Sequence, residues 1–185
     1  GSPVSADGVV AFLTDAGQAV PTAGGQPGGS LGYANGSRGP GIANAYLGVG
    51  LDEYGNFSSP TQGRLGGPSR IPETVAVRGA AASGWQYITG AKNTSGHPAS
   101  LPFHFDQPGA TTRPAGAPTV QIVLTAAGIL SVAIDVHDGN GFAYDIPPTN
   151  IVGLNGQPAV PATVRVGFVS STGGFTSRHQ IGGLT

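Results

Sequence analysis

The chain has 185 residues, enough to bury one substantial core. Charged residues are 9% of it and the formal net charge is −1, so there is no basic face to hold a phosphate backbone. The absence of cysteine excludes disulfides, thiolate zinc sites and a cysteine nucleophile, and no apolar run approaches the roughly twenty residues of a membrane-spanning helix.

Apolar residues recur at every second position, the period of a strand with one buried face, and no stretch carries a helical period. In chain order this alternation predicts strands over residues 8–13 (GVVAFL), 46–51 (YLGVGL), 74–78 (TVAVR), 120–124 (VQIVL), 129–136 (ILSVAIDV) and 163–170 (TVRVGFVS), with a last strand near 178–184. Thr125-Ala126-Ala127-Gly128 joins the fourth and fifth as a hairpin, with Gly128 free to take positive φ. Trp85 and Tyr87, two apart, read as one half-buried strand. Between the strands lie long loops: 21–30, 35–41, the Gly-, Pro- and Arg-rich 58–72, and 140–161 with its four prolines. Structureless loops of that length in a compact domain usually do something. Short strands joined by turns predict one all-β domain over residues 1–185, an antiparallel β-sandwich.

Three stretches, in order, carry a resemblance. They are Ala6-Asp7-Gly8-Val9-Val10-Ala11-Phe12, then Gly28-Gly29-Ser30-Leu31-Gly32-Tyr33, then Leu47-Gly48-Val49-Gly50-Leu51-Asp52-Glu53-Tyr54-Gly55-Asn56. A closing segment, Val166 to Gly174 followed by His179-Gln180-Ile181, completes the pattern. The chain resembles the bacterial L-type (legume-type) lectins, of the concanavalin A-like superfamily. That resemblance implies a jelly-roll sandwich and a carbohydrate-binding module, not an enzyme, of a secreted or cell-surface bacterial protein. Its partner would be a glycan or cell-surface polysaccharide, with neither nucleic acid nor membrane insertion involved. Asp7, Gly28, Gly29 and Asn56 would supply the polar contacts, with Gly173 and Gly174 in the last loop; Tyr33, Tyr54, Phe57 and Phe175 would supply an aromatic platform. The resemblance also implies a cis Ala6–Asp7 peptide. Calcium would be held by Asp52, the Tyr54 carbonyl and the Asn56 side chain, locking the loop that carries the asparagine; chelation should then lower thermal stability. The family's transition-metal glutamate falls at Gly50 and its histidine near Thr74, so that second metal is expected to be lost. The second calcium aspartate should fall within 57–64, which contains no acid. The strands the family places before Asp7 are missing, so a further chain or segment is expected to complete the sheet.

The residue types suit a sugar on their own account. A carboxylate accepts two hydroxyl hydrogen bonds, an asparagine amide donates, and a bare glycine N–H allows close approach, while an aromatic ring covers the sugar's C–H face. Other signals are weaker. His97, His104, His137 and His179 lack metal-ligand spacing and read as solvated or capping residues. Asn35, Asn56 and Asn93 open N-x-[ST] triplets, which arise often by chance. Gly28 to Gly32 matches G-x-S-x-G, but a Pro/Gly loop stands where a nucleophile elbow needs a strand. A sandwich-fold glycoside hydrolase would need two carboxyl groups about 5–5.5 Å apart, and glycines at 50 and 55 stand where that class carries its glutamates. An adhesive β-module binding a protein partner, without sugar, is the main alternative.

Overall fold

The computed structural model describes residues 6–105 and 116–185. Eight strands form: β1 Gly8–Asp15, β2 Ala45–Asp52, β3 Thr74–Arg78, β4 Tyr87–Gly90, β5 Thr119–Leu124, β6 Ile129–Asp135, β7 Ala143–Asn150 and β8 Val164–Ser171. All pairings are antiparallel, in a five-stranded sheet ordered β4-β3-β2-β1-β8 and a three-stranded sheet ordered β5-β6-β7. Among the described residues the remaining regular pieces are three short 3₁₀ turns, and no helix there is long and apolar enough to cross a membrane.

Six predicted strands are present within a residue or two of their expected bounds, and the Thr125–Gly128 hairpin closes with the Gly128 N–H donating to the Thr125 carbonyl at 2.9 Å. The seventh is not: residues 178–184 carry no strand. One strand, β7, was hidden in the sequence, and another, β4, is displaced from its expected place. β7 contains Pro147 and Pro148, which cannot donate to a ladder; it forms because it is an edge strand and the register shifts where the prolines fall, between the Leu130↔Thr149 and Val132↔Ile146 pairs. β4 starts at Tyr87, whereas Trp85 has φ 52° and lies outside the strand, so the expected Trp85–Tyr87 pair is split.

Leu47, Val49, Val75 and Val77 of the larger sheet and Leu130, Val132, Ile134 and Ile146 of the smaller sheet belong to one buried apolar cluster. Each side chain of that kind contributes about 1.5–3 kcal/mol on burial. The other face of the larger sheet is covered by its own loops. Leu31, Tyr33, Ala34, Ile42 and Phe57 form a second cluster there, with Val10 and Ala76. Gly48 and Gly50 make that cover possible: a Cβ would stand 2.7 Å from the Tyr33 ring at the first and 2.6 Å from the Phe57 ring at the second. The loops can lie on the sheet because β2 has no side chains on that face there.

The core face of the larger sheet is incompletely covered by the described residues at one edge. Phe168 and Val166 of β8 pair with Ala11 and Leu13 of β1, which pair in turn with Val49 and Leu47. All six lie on the core face, since directly paired residues share a side. Yet Val166 is 69% exposed and Phe168 40%. The apolar face therefore continues past the three-stranded sheet.

On β7, Asp145 has a buried Oδ2 without a hydrogen-bond partner among the described residues, and burial pushes its pKa up to about 6. The folded state therefore holds this proton more tightly than the unfolded chain. The associated stability is complete below about pH 4 and is lost as pH rises through about 6. Asp145→Asn should raise Tm by roughly 2–4 °C at pH 8, allowing for partial solvent screening, and change it little at pH 4. An equal change at both pH values in thermal melts would show that Asp145 is not the titrating group.

Candidate functional site

One end of the larger sheet carries a cleft of about 450 Å³. Its wall begins where β1 starts. The Ala6–Asp7 peptide is cis, the Asp7 N–H donates to the Ser171 carbonyl at 2.9 Å, and the Asp7 carbonyl accepts from the Tyr54 N–H at 3.2 Å. These bonds tie the residue to both neighbouring chain segments and set its side chain toward the cleft. Asp7 is 4% exposed, and its Oδ2 has no hydrogen-bond partner among the described residues. Burial raises its pKa, opposed by the nearby Arg64 guanidinium. A buried acceptor without a donor is costly unless something else supplies one.

Gly28 and Gly29 reach the same cleft on a 3₁₀ turn. The Gly28 N–H is taken by Ser171 Oγ at 2.7 Å, which leaves the Gly29 amide as the donor a ligand could use. Gly29 sits against Asn56: an added Cβ would come within 2.4 Å of the Asn56 Cβ. Asn56 lines the cleft, and its side-chain amide makes no hydrogen bond to a described residue. Gly173 closes over Asp7, with a hypothetical Cβ 2.8 Å from Oδ2, while Gly174 borders open space. On the rim, the Phe175 ring stacks on Tyr54 at 6.0 Å, and the Arg70 guanidinium lies 4.1 Å over the Tyr54 ring centre.

Eight of the ten residues expected at a sugar site thus line one cleft: Asp7, Gly28, Gly29, Tyr54, Asn56, Gly173, Gly174 and Phe175. The other two do not. Tyr33 and Phe57 are fully buried in the second apolar cluster, with the Tyr33 hydroxyl donating to the Gly79 carbonyl at 2.9 Å. Alternation and loop composition could not separate a ring on the cleft from a ring against the sheet; the glycines at 48 and 50 were the available signal. Trp85 is likewise in that cluster, bonded to the Ile42 carbonyl.

The residues expected to hold calcium are close together but already engaged. Asp52 is fully buried; its Oδ1 accepts the Gly55 N–H at 2.8 Å and its Oδ2 the Phe57 N–H at 2.7 Å. Burial pushes its pKa up to about 8. The Tyr54 carbonyl accepts from Arg70 Nε at 2.9 Å. Calcium takes about six to eight oxygens, and among the described residues no group of three His, Cys, Asp or Glu side chains converges. Both Asp52 oxygens and the Tyr54 carbonyl thus each already accept one hydrogen bond, while the Asn56 side chain accepts none from a described residue.

Sequence reasoning passed over the residues that hold this end together. Arg64 is 2% exposed and forms part of the cleft. It donates to the Ser59 carbonyl, Ser30 Oγ, Gln62 Oε1 and Thr61 Oγ1. Ser30, the serine of the G-x-S-x-G match, is thus committed, and its hydroxyl also donates to the Asn35 carbonyl. Arg78 is fully buried and donates to five backbone carbonyls. His179 departs from the solvated expectation: its side chain is 8% exposed and its Nε2 lies 3.3 Å from Glu53 Oε1. No family model, curated protein or solved structure matches the chain.

Proposed function

We propose that the cleft binds a saccharide, and that the protein is a non-enzymatic, lectin-like module of a secreted or cell-surface protein, acting on glycans or surface polysaccharide. The observation that carries this is convergence. An acid from the start of β1, a pair of glycines some twenty residues on, and an asparagine beyond β2 meet in one open cleft, and the acid presents a buried oxygen with no donor among the described residues. A sugar's neighbouring hydroxyls supply donors for Asp7 and acceptors for the Gly29 and Asn56 N–H groups. Phe175, backed by Tyr54, offers a ring face to its C–H groups. The fold follows the same reading. With one apolar cluster drawing on both sheets, we infer a concanavalin A-like sandwich.

Glycan-array screening followed by calorimetry tests this, comparing the wild type with Asp7→Asn. The substitution keeps shape and removes the charge that accepts the hydroxyl protons. Hydrogen bonds to charged groups contribute about 1.5–3 kcal/mol, so affinity should fall roughly ten- to a hundredfold with the fold intact by circular dichroism. A wild type that binds no glycan, or a variant that binds as well, would sink the saccharide reading.

A specific observation favours a second reading. The apolar face exposed along β8 at Val164, Val166 and Phe168 sits on a strand at the edge of the sheet formed by the described residues, which suits a further strand from another chain or segment. A module that adheres to protein through that edge would need no sugar.

A further inference from the structure

We propose that the loop carrying Asn56 is held by arginine side chains in place of a metal ion, with Arg64 tying it to the glycine turn and Arg70 fixing the Tyr54 carbonyl, so that the saccharide site works without calcium. This deepens the saccharide reading and rests on it only for the identity of the ligand. In a metal-locked site, the ion gathers carboxylate, carbonyl and amide oxygens and so freezes the loop. Here the Asp52 carboxylate and the Tyr54 carbonyl have other donors. Asp52 accepts two backbone N–H groups, and the Tyr54 carbonyl accepts Arg70 Nε, whose guanidinium also covers the Tyr54 ring.

Arg64 comes from the segment 57–64 that has no acid, and it supplies positive charge where an ion would. It lies within electrostatic reach of both Asp7 and Asp52. Its bond to Ser30 Oγ at 3.2 Å spans from the Asn56 loop to the glycine turn, and its bonds to Ser59, Thr61 and Gln62 close the loop on itself. The planar fork is what allows one side chain to reach four acceptors; an ammonium group has neither the geometry nor the reach. A divalent ion placed beside Asp52 would meet this guanidinium as a like charge and would find one lone-pair site on each carboxylate oxygen already taken by a backbone donor. Arg64 is thus a positioning residue: it acts on the ligand through Asn56 and the Gly28–Ser30 turn.

The test uses the whole chain. Calcium alone, titrated calorimetrically, should give no binding heat, and Tm should be the same in chelator and in millimolar calcium. Hydrogen exchange of the backbone amides of residues 53–64 should be about tenfold faster or more in Arg64→Met, with Arg64→Lys recovering only part of the protection because it restores charge without the fork. Should Arg64→Met fail to fold, Arg70→Gln replaces it, since Arg70 is exposed, and the same segment should again exchange faster. Calcium that raises the wild-type Tm, or unchanged exchange in the arginine variants, overturns the proposal. A wild type that binds no glycan defeats the saccharide reading instead, while the metal titration and the exchange data still decide this one.

Discussion

Arg78→Met is expected to lower stability by roughly 3–5 kcal/mol, which for a domain of this size is a fall in Tm of about 10 °C or more. All five guanidinium N–H groups are used. Nε donates to the Phe57 carbonyl at 2.7 Å, Nη1 to Leu65 and Trp85 at 2.8 and 3.0 Å, and Nη2 to Ser59 and Gly66 at 3.0 and 3.3 Å. Methionine fills much of the space but returns none of these bonds, so five carbonyls in or beside the 57–67 loop lose a charged donor together. Part of the loss is offset because a costly buried cation disappears; burial already depresses the Arg78 pKa to about 9. Arg78→Lys separates charge from geometry. An ammonium has three donors and no plane, so it should recover less than half of the deficit. Urea denaturation of the three proteins checks this, and a methionine variant within about 1 kcal/mol of the wild type would show that the loop is held by other contacts.

That residue also marks where sequence reading stops. Thr74–Arg78 was expected as a strand and is one, because Val75 and Val77 point into the core at period two. The same alternation located β1, β2, β5, β6 and β8. What it gave no access to was the far side of the larger sheet. Alternation describes a face against solvent, but β2 is buried on both faces, and its second face is covered by loops whose composition reads as solvated. Arg64 and Arg78, lodged in those loops and under them, look in a sequence like ordinary surface cations. β7 was lost for another reason: its two prolines suppress the strand signal, and only its edge position rescues it.

For the site the balance differs. Asp7, the glycine pair, Asn56 and Phe175 were legible because each stands in a short motif with a chemical reason for its residue type. Tyr33 and Phe57 belong to the same motifs, and there the motif misleads. Being next to a cleft residue in sequence sets a side chain on the opposite side of the chain as readily as on the same side; Phe57 follows Asn56 and turns inward under Arg78, whose guanidinium stands 5.5 Å from its ring centre. The oxygen donors at Asp52, Tyr54 and Asn56 were legible as a group, but the arginine and backbone donors that occupy two of them lie elsewhere in the chain or in the backbone, where a motif carries no record of them.

Asp52→Ala is expected to be the most damaging single change at the site, although Asp52 is fully buried and no ligand reaches it. Its two oxygens hold the Gly55 and Phe57 amides, the residues on either side of Asn56. Alanine strands both N–H groups in a buried turn, at about 1–3 kcal/mol each, so stability should fall by roughly 2–5 kcal/mol. Asparagine leaves one acceptor and turns an amide donor toward the other N–H, which predicts an intermediate loss and the order wild type, Asn, Ala. Because the freed amides flank Asn56, the alanine variant should also weaken saccharide binding by about tenfold or more, at temperatures where circular dichroism shows it folded. The loss of stability should be the same in chelator and in calcium, since in this arrangement the carboxylate orders the loop through backbone donors. If Asp52→Ala melts with the wild type, or if its deficit appears only when calcium is present, then the two backbone bonds are not what holds Asn56 in place.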